Sequence, residues 1–167
     1  MQVVLLQCRI KCKTAPDKDI CQQVDALLSD HELIRANSLK MVYTVLREHQ
    51  HPDVSLQSKI LKRFTEKQLT KLGELSDTDT INTEVFEELM CALKELTELT
   101  TSLSDKLAFL QQAACLSERA LMPNFMKWVL SYGWNCGVQA YQRDSDRDLA
   151  KRYFQLSMQT LQQCSTI

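Results

Sequence analysis

The chain has 167 residues, 44% apolar and 25% charged, with a formal net charge of −1. That is the make-up of an ordinary globular core, and it excludes a low-complexity chain or the basic footprint of a nucleic-acid binder. Three glycines and three prolines are too few for the many tight turns of a sandwich or barrel, so the expected fold is all-α.

In chain order, Val3, Leu6 and Ile10 recur among basic residues and predict a helix over 2–12, which Thr14-Ala-Pro16-Asp17 breaks. Asp19 is placed to cap a helix over about 19–29 with Ile20, Val24, Leu27 and Leu28 on its buried stripe. Ser29-Asp30-His31 turns into a helix over 32–49 burying Leu33, Ala36, Leu39, Tyr43 and Leu46, and Pro52 ends it. The next helix, 53–72, carries Leu56, Ile60, Leu61, Phe64 and Leu69, with Gly73 suited to the position after its last turn. Residues 74–81 read as a polar loop. A helix over 83–101 follows, capped by Asn82 or Thr83, with Val85, Phe86, Leu89, Leu93 and Leu96 inside. Ser104 restarts a helix over 104–121 bearing Leu107, Leu110, Ala114 and Leu121. Pro123 opens a helix over 123–143. Asp144-Ser145-Asp146 then turns the chain into a last one, about 146–163. The expectation is about eight helices whose short connections make neighbours antiparallel, as in bundles and α-solenoids. The organisation read from this is irregular helical pairs over 1–73, a polar loop at 74–82, and helical pairs over 83–167 in one continuous solenoid.

The charge is unevenly spread. Residues 1–72 hold 12 Lys/Arg against 8 Asp/Glu, and residues 73–167 hold 8 against 13. Two differently decorated solvated faces account for this, and a charged partner would be oriented by it. Seven cysteines, none in a C-x-x-C pair, lie on helical faces, the usage of a reducing compartment. Cys8 and Cys12 stand one turn apart, but no nearby Cys or His completes a zinc set. No metal, cofactor or catalytic residue is therefore expected. His31, His49 and His51 fall in turns, and no phosphate loop, nucleophile elbow or dinucleotide fingerprint occurs. No apolar run reaches the roughly 20 residues of a bilayer span, and the Met1-Gln-Val-Val-Leu-Leu stretch is too short for a signal peptide.

The most specific pattern lies in 134–157. Trp134, Gly137, Val138 and Tyr141, then Ala150 and Phe154, nearly match the spacing of a tetratricopeptide repeat, with the glycine one place early. Trp134, Val138 and Tyr141 share one helical face, Gly137 permits close backbone approach, and Ala150 and Phe154 complete the pair. These six are the expected repeat-packing residues of a unit covering about 124–163. Trp128 is expected to pack on the preceding helices. Tyr132, Asn135, Gln139, Gln142 and Arg143 point the other way. They form either an ordinary wet face or a concave surface, where amides and one arginine bind a peptide backbone and a carboxylate.

The segment from Met126 to Leu161 also resembles the repeat of the meiotic Spo-twenty-two/Zip-four-type tetratricopeptide-repeat family, which has vertebrate testis-expressed members. The likeness rests on Trp134, Asn135, Gly137, Val138, Tyr141, Ala150, Tyr153, Phe154 and Leu156. The resemblance implies a non-enzymatic scaffold that promotes crossover recombination and chromosome synapsis. It further implies a nuclear location on meiotic chromosomes, and protein partners among recombination or synaptonemal components. Direct nucleic-acid or membrane contact is not expected. The alternative is a generic tetratricopeptide adaptor in a chaperone or transport assembly.

Overall fold

A computed structural model describes residues 17–29, 35–49, 53–73, 83–143 and 145–165. All secondary structure among these residues is helical: α1 Asp17–Ser29, α2 Ala36–Glu48, α3 Val54–Gly73, α4 Thr83–Leu99, α5 Leu103–Arg119, α6 Pro123–Gln142 and α7 Arg147–Cys164. The expected helix at 2–12, Asp30 and His31, the His51-Pro52 stop, the Cys8–Cys12 pair and the polar loop at 74–81 lie outside the described residues. None of the described helices is long and apolar enough to cross a membrane. The chain forms two compact units, Met1–Thr78 and Asp79–Ile167.

In the first unit α2 packs on α3, and α1 makes a lighter contact with α3. In α2 the expected Leu39, Tyr43 and Leu46 are buried together with Val42 and Val45, Ala36 is half-buried, and Leu33 lies outside the described residues. α3 is less orthodox. Beside Leu56, Ile60, Leu61 and Phe64 it buries Gln57, Thr65 and Gln68, whereas Leu69 is only half-buried. Asp53 accepts the Leu56 N–H at 2.9 Å and starts this helix. Asp19 does not cap α1: it lies inside the helix, which already includes Asp17.

The second unit stacks α4 on α5, α5 on α6 and α6 on α7, with a further contact between α5 and α7. α4 buries Phe86, Leu89, Met90, Leu93 and Leu96. Ser102, rather than Ser104, starts α5, its side chain accepting the Asp105 N–H at 3.3 Å. Pro123 occupies the first turn of α6. Asp146 caps α7 by accepting the Leu149 N–H at 2.9 Å, which satisfies a donor that no helical carbonyl can reach.

α5 ends sooner than its periodicity implies. It stops at Arg119, and Leu121 is 65% exposed with φ 50°. The Leu121 N–H bonds the Glu118 carbonyl at 3.1 Å and the Met122 N–H bonds the Ser117 carbonyl at 2.8 Å. This is a Schellman closure with leucine in the left-handed position that glycine usually takes. Gly73, expected to serve such a role, has no positive φ. Replacing Leu121 by glycine relieves the left-handed strain and removes an exposed apolar side chain. We expect Leu121→Gly to raise the unfolding free energy of the second unit by about 0.5–1 kcal/mol after glycine's own entropy cost, measured by urea denaturation.

Candidate protein-binding surfaces on the last helix pair

α6 and α7 pack more extensively than any other described pair, and small residues make this possible. Gly133, Cys136, Gly137 and Ala140 line the buried face of α6, against Ala150, Tyr153 and Ser157 of α7. A Cβ on Gly137 would stand 2.7 Å from Phe154 Cε1 and 3.1 Å from Tyr153 Cβ. A Cβ on Gly133 would stand 2.9 Å from Ser157 Oγ, whose hydroxyl donates to the Leu130 carbonyl at 3.3 Å. Sequence reasoning identified Gly137 and overlooked Gly133, although the four-residue separation of two glycines is itself a mark of close helix approach.

That close approach decides where the aromatics go. The expected wedge between the helices was Trp134 with Phe154. Their rings do meet, with centroids 4.8 Å apart and planes tilted by 53°, but Trp134 remains 48% exposed and Tyr141 57% exposed. Val138 and Phe154 are half-buried. With the backbones held together by glycine and alanine there is no room for an indole between them, so it caps the edge of the seam. Ala150 is buried as the small residue of the pair. The aromatic inside is Tyr153, fully buried, whose hydroxyl donates to the Leu103 carbonyl at the start of α5.

Burial pushes the Tyr153 hydroxyl well above its usual pKa, and the neighbouring Cys136 adds to the effect. Burial likewise pushes the Cys136 thiol up, while the Lys106 charge and a hydrogen bond with Tyr153 pull it down. Both groups are neutral in the core at ordinary pH, so Tyr153 serves as a hydrogen-bond donor.

The residues expected on a concave face sit as follows. Tyr132 is half-buried and faces α5: Lys106 Nζ donates to its hydroxyl at 3.3 Å and lies 5.7 Å from its ring centroid. Trp128, also half-buried, packs on the same ring with centroids 5.7 Å apart. Asn135, Gln142 and Arg143 are exposed and Gln139 is half-buried. Arg143 closes α6, its N–H bonding the Gln139 carbonyl. Tyr132 therefore belongs partly to the α5–α6 packing, and the other four form a polar edge.

Two further surfaces were not anticipated. Between α5 and α7 runs a groove of about 460 Å³ lined by Gln111, Gln155, Gln159 and Gln163 among others. Gln163 Nε2 donates to Glu118 Oε2 across it at 2.7 Å. On the opposite edge of α7, Tyr141, Phe154 and Met158 border an open hollow of about 420 Å³ together with Arg147 and Lys151. Met158 is 48% and Leu161 44% exposed. Arg147, Lys151, Phe154, Met158 and Leu161 recur at i, i+4, i+7, i+11 and i+14, which is one face of a helix. The spacing was legible, but it reads equally well as a second core stripe.

Among the described residues, no group of three or more His, Cys, Asp or Glu side chains is placed to hold a metal ion. The chain matches no protein-family model, no curated protein and no solved structure.

Gly137→Val should cost about 2–3 kcal/mol, because a branched side chain overpacks a seam with no spare space. Trp134→Ala should cost less than the roughly 3–5 kcal/mol of a fully buried tryptophan. Thermal or urea unfolding of the two variants checks the order. The pH response has a definite sign. The folded state holds the Cys136 and Tyr153 protons more tightly than the unfolded chain, so their stabilising effect is complete below the unfolded values. It is lost as pH rises past about 8.5 for the thiol and about 10 for the phenol. Urea midpoints between pH 7 and 11 should show this decline, and Tyr153→Phe should flatten its upper part.

Proposed function

We propose that the chain is a non-enzymatic interaction scaffold: an α-solenoid segment of tetratricopeptide-like pairs that binds other proteins through its helix faces. The observation that carries this reading is the apolar surface of α6 and α7, where Trp134, Tyr141, Met158 and Leu161 are each at least 44% exposed. Large side chains of this type, clustered rather than scattered, are characteristic of protein-binding surfaces. The contact of α5 with α7 across α6 supports the solenoid reading, because repeats of two helices bring alternate helices together when they stack.

The resemblance carried by Trp134, Gly137, Tyr141, Ala150 and Phe154 supports a meiotic role for such a scaffold. Its place is in the nucleus, on meiotic chromosomes, where it supports crossover recombination and synapsis by holding recombination or synaptonemal proteins together.

The test is crosslinking mass spectrometry and immunolocalisation of the tagged full-length protein in meiotic cells. Foci on prophase chromosomes and crosslinks to recombination or synaptonemal proteins are expected. Trp134→Ser with Tyr141→Ser should remove most of those crosslinks while helicity is retained. Arg143→Glu with Gln139→Ala measures the separate share of the polar edge. A diffuse cytoplasmic signal, with crosslinks only to chaperone or transport components, would replace the meiotic reading with the generic adaptor.

A further inference from the structure

We infer that the hollow beside Tyr141, Phe154 and Met158 is the docking site for an amphipathic helix of another protein, one that carries carboxylates beside its apolar stripe. This deepens the scaffold reading and rests on it.

Shape comes first. The apolar edge of α6 runs from Trp134 to Tyr141 and that of α7 from Phe154 to Leu161, about 10 Å each at 1.5 Å per residue, and Arg147 and Lys151 extend the α7 face to about 21 Å. Two helices side by side leave a trough, and a third helix of about four turns fits such a trough with anchors at i, i+4, i+7 and i+11. An extended strand would find no unpaired backbone here, since both walls are helices whose amides bond internally. The hollow of about 420 Å³ takes one large anchor side chain, and Trp134 beside Phe154 gives a flat apolar wall for the next.

Charge identifies the occupant more narrowly. Arg147 and Lys151 border the same hollow, both are exposed, and neither makes an ion pair with a described residue. Two cations in the first turns of α7 oppose the helix dipole, so they gain from an outside anion. α6 contains no acidic residue; at the start of α7, Asp146 is engaged in capping the Leu149 N–H, and Asp148 lies one position round from Arg147 and off this face. A second copy of the chain docking through the same surface would set two more cations against Arg147 and Lys151. A partner helix with Glu or Asp flanking its apolar stripe supplies the missing charge. Such flanking pairs discriminate between partners more than they add affinity.

The experiment uses the whole 167-residue chain and two fluorescein-labelled helical peptides. Both have leucine at i, i+4, i+7 and i+11; one carries glutamates beside the stripe and the other lysines at the same positions. Fluorescence anisotropy at about 50 mM and 300 mM salt should show the glutamate peptide binding about tenfold more tightly, with the preference shrinking at high salt. Arg147→Glu with Lys151→Glu should invert the preference, and that gain of binding to the lysine peptide also reports an intact fold. Trp134→Ser with Met158→Ser should weaken both peptides. Binding of neither peptide, equal binding of both, or no inversion in the charge-swapped protein overturns the inference. So does sedimentation showing a dimer of the free chain that Trp134→Ser abolishes, since a second copy is then the occupant. Any of these results leaves the scaffold reading to its own crosslinking test, which does not depend on the partner's charge.

Discussion

The second unit depends on how near the backbones of α6 and α7 come to each other. Gly133 and Gly137, one turn apart, leave no Cβ between α6 and the side chains of Ser157, Phe154 and Tyr153. Ala140 and Ala150, both buried, continue the same strip of small side chains. Close helices gain dispersion contacts along their whole length, but they exclude any bulky group from the seam. The rings of Trp134, Tyr141 and Phe154 are therefore distributed along its rim. Tyr153 is the exception: it is fully buried beside Cys136 of α6, and its hydroxyl reaches the Leu103 carbonyl of α5. One steric constraint thus produces both the rigid interior and the apolar edge available to a partner.

Buried hydroxyls show how all-helical packing tolerates polar atoms. Thr97 and Thr160 donate to the carbonyls four residues back, at 2.7 and 2.9 Å, and Ser117 donates three residues back at 3.0 Å. Each satisfies its proton within its own turn, so its position in the core demands nothing from a neighbouring helix. Such residues act there as small, slightly polar spacers. Thr65 in α3 differs: its hydroxyl is buried and has no partner among the described residues, a destabilising feature in a face that also buries Gln57 and Gln68.

α6 presents two outward surfaces of different chemistry on either side of its buried strip. Asn135, Gln139, Gln142 and Arg143 form an amide-rich edge, and Trp134, Val138 and Tyr141 form the apolar one. Amides exchange water for a peptide at little net gain, whereas half-exposed rings lose unfavourable hydration when covered. Affinity therefore resides in the apolar edge, and the polar edge is suited to register and selectivity. Arg147 and Lys151 extend the same division of labour onto α7.

Composition and periodicity by themselves determined that the described segments are helices and roughly where each begins. Proline, capping serine and aspartate, and apolar spacing act within a turn or two of chain. For α3 and α4 the apolar stripe was legible nearly to the residue, with Leu56, Ile60, Leu61 and Phe64 and then Phe86, Leu89, Leu93 and Leu96 buried as expected, whereas of the buried strip of α6 only Gly137 was. The candidate site was legible only as sets of residues sharing a face: Trp134, Val138 and Tyr141 do share one, and so do Tyr132, Asn135 and Gln139. Which set turns inward was decided by tertiary structure. Periodicity fixes the angle between side chains on one helix but carries no information on the distance to the next, and that distance is set by Gly133 and Gly137 meeting Ser157 and Phe154 from another part of the chain. The inward turn of Tyr153 has the same origin, because its partner Leu103 becomes a neighbour only when the helices stack. The early stop of α5 is local by contrast, closed by hydrogen bonds from Leu121 and Met122 to Glu118 and Ser117.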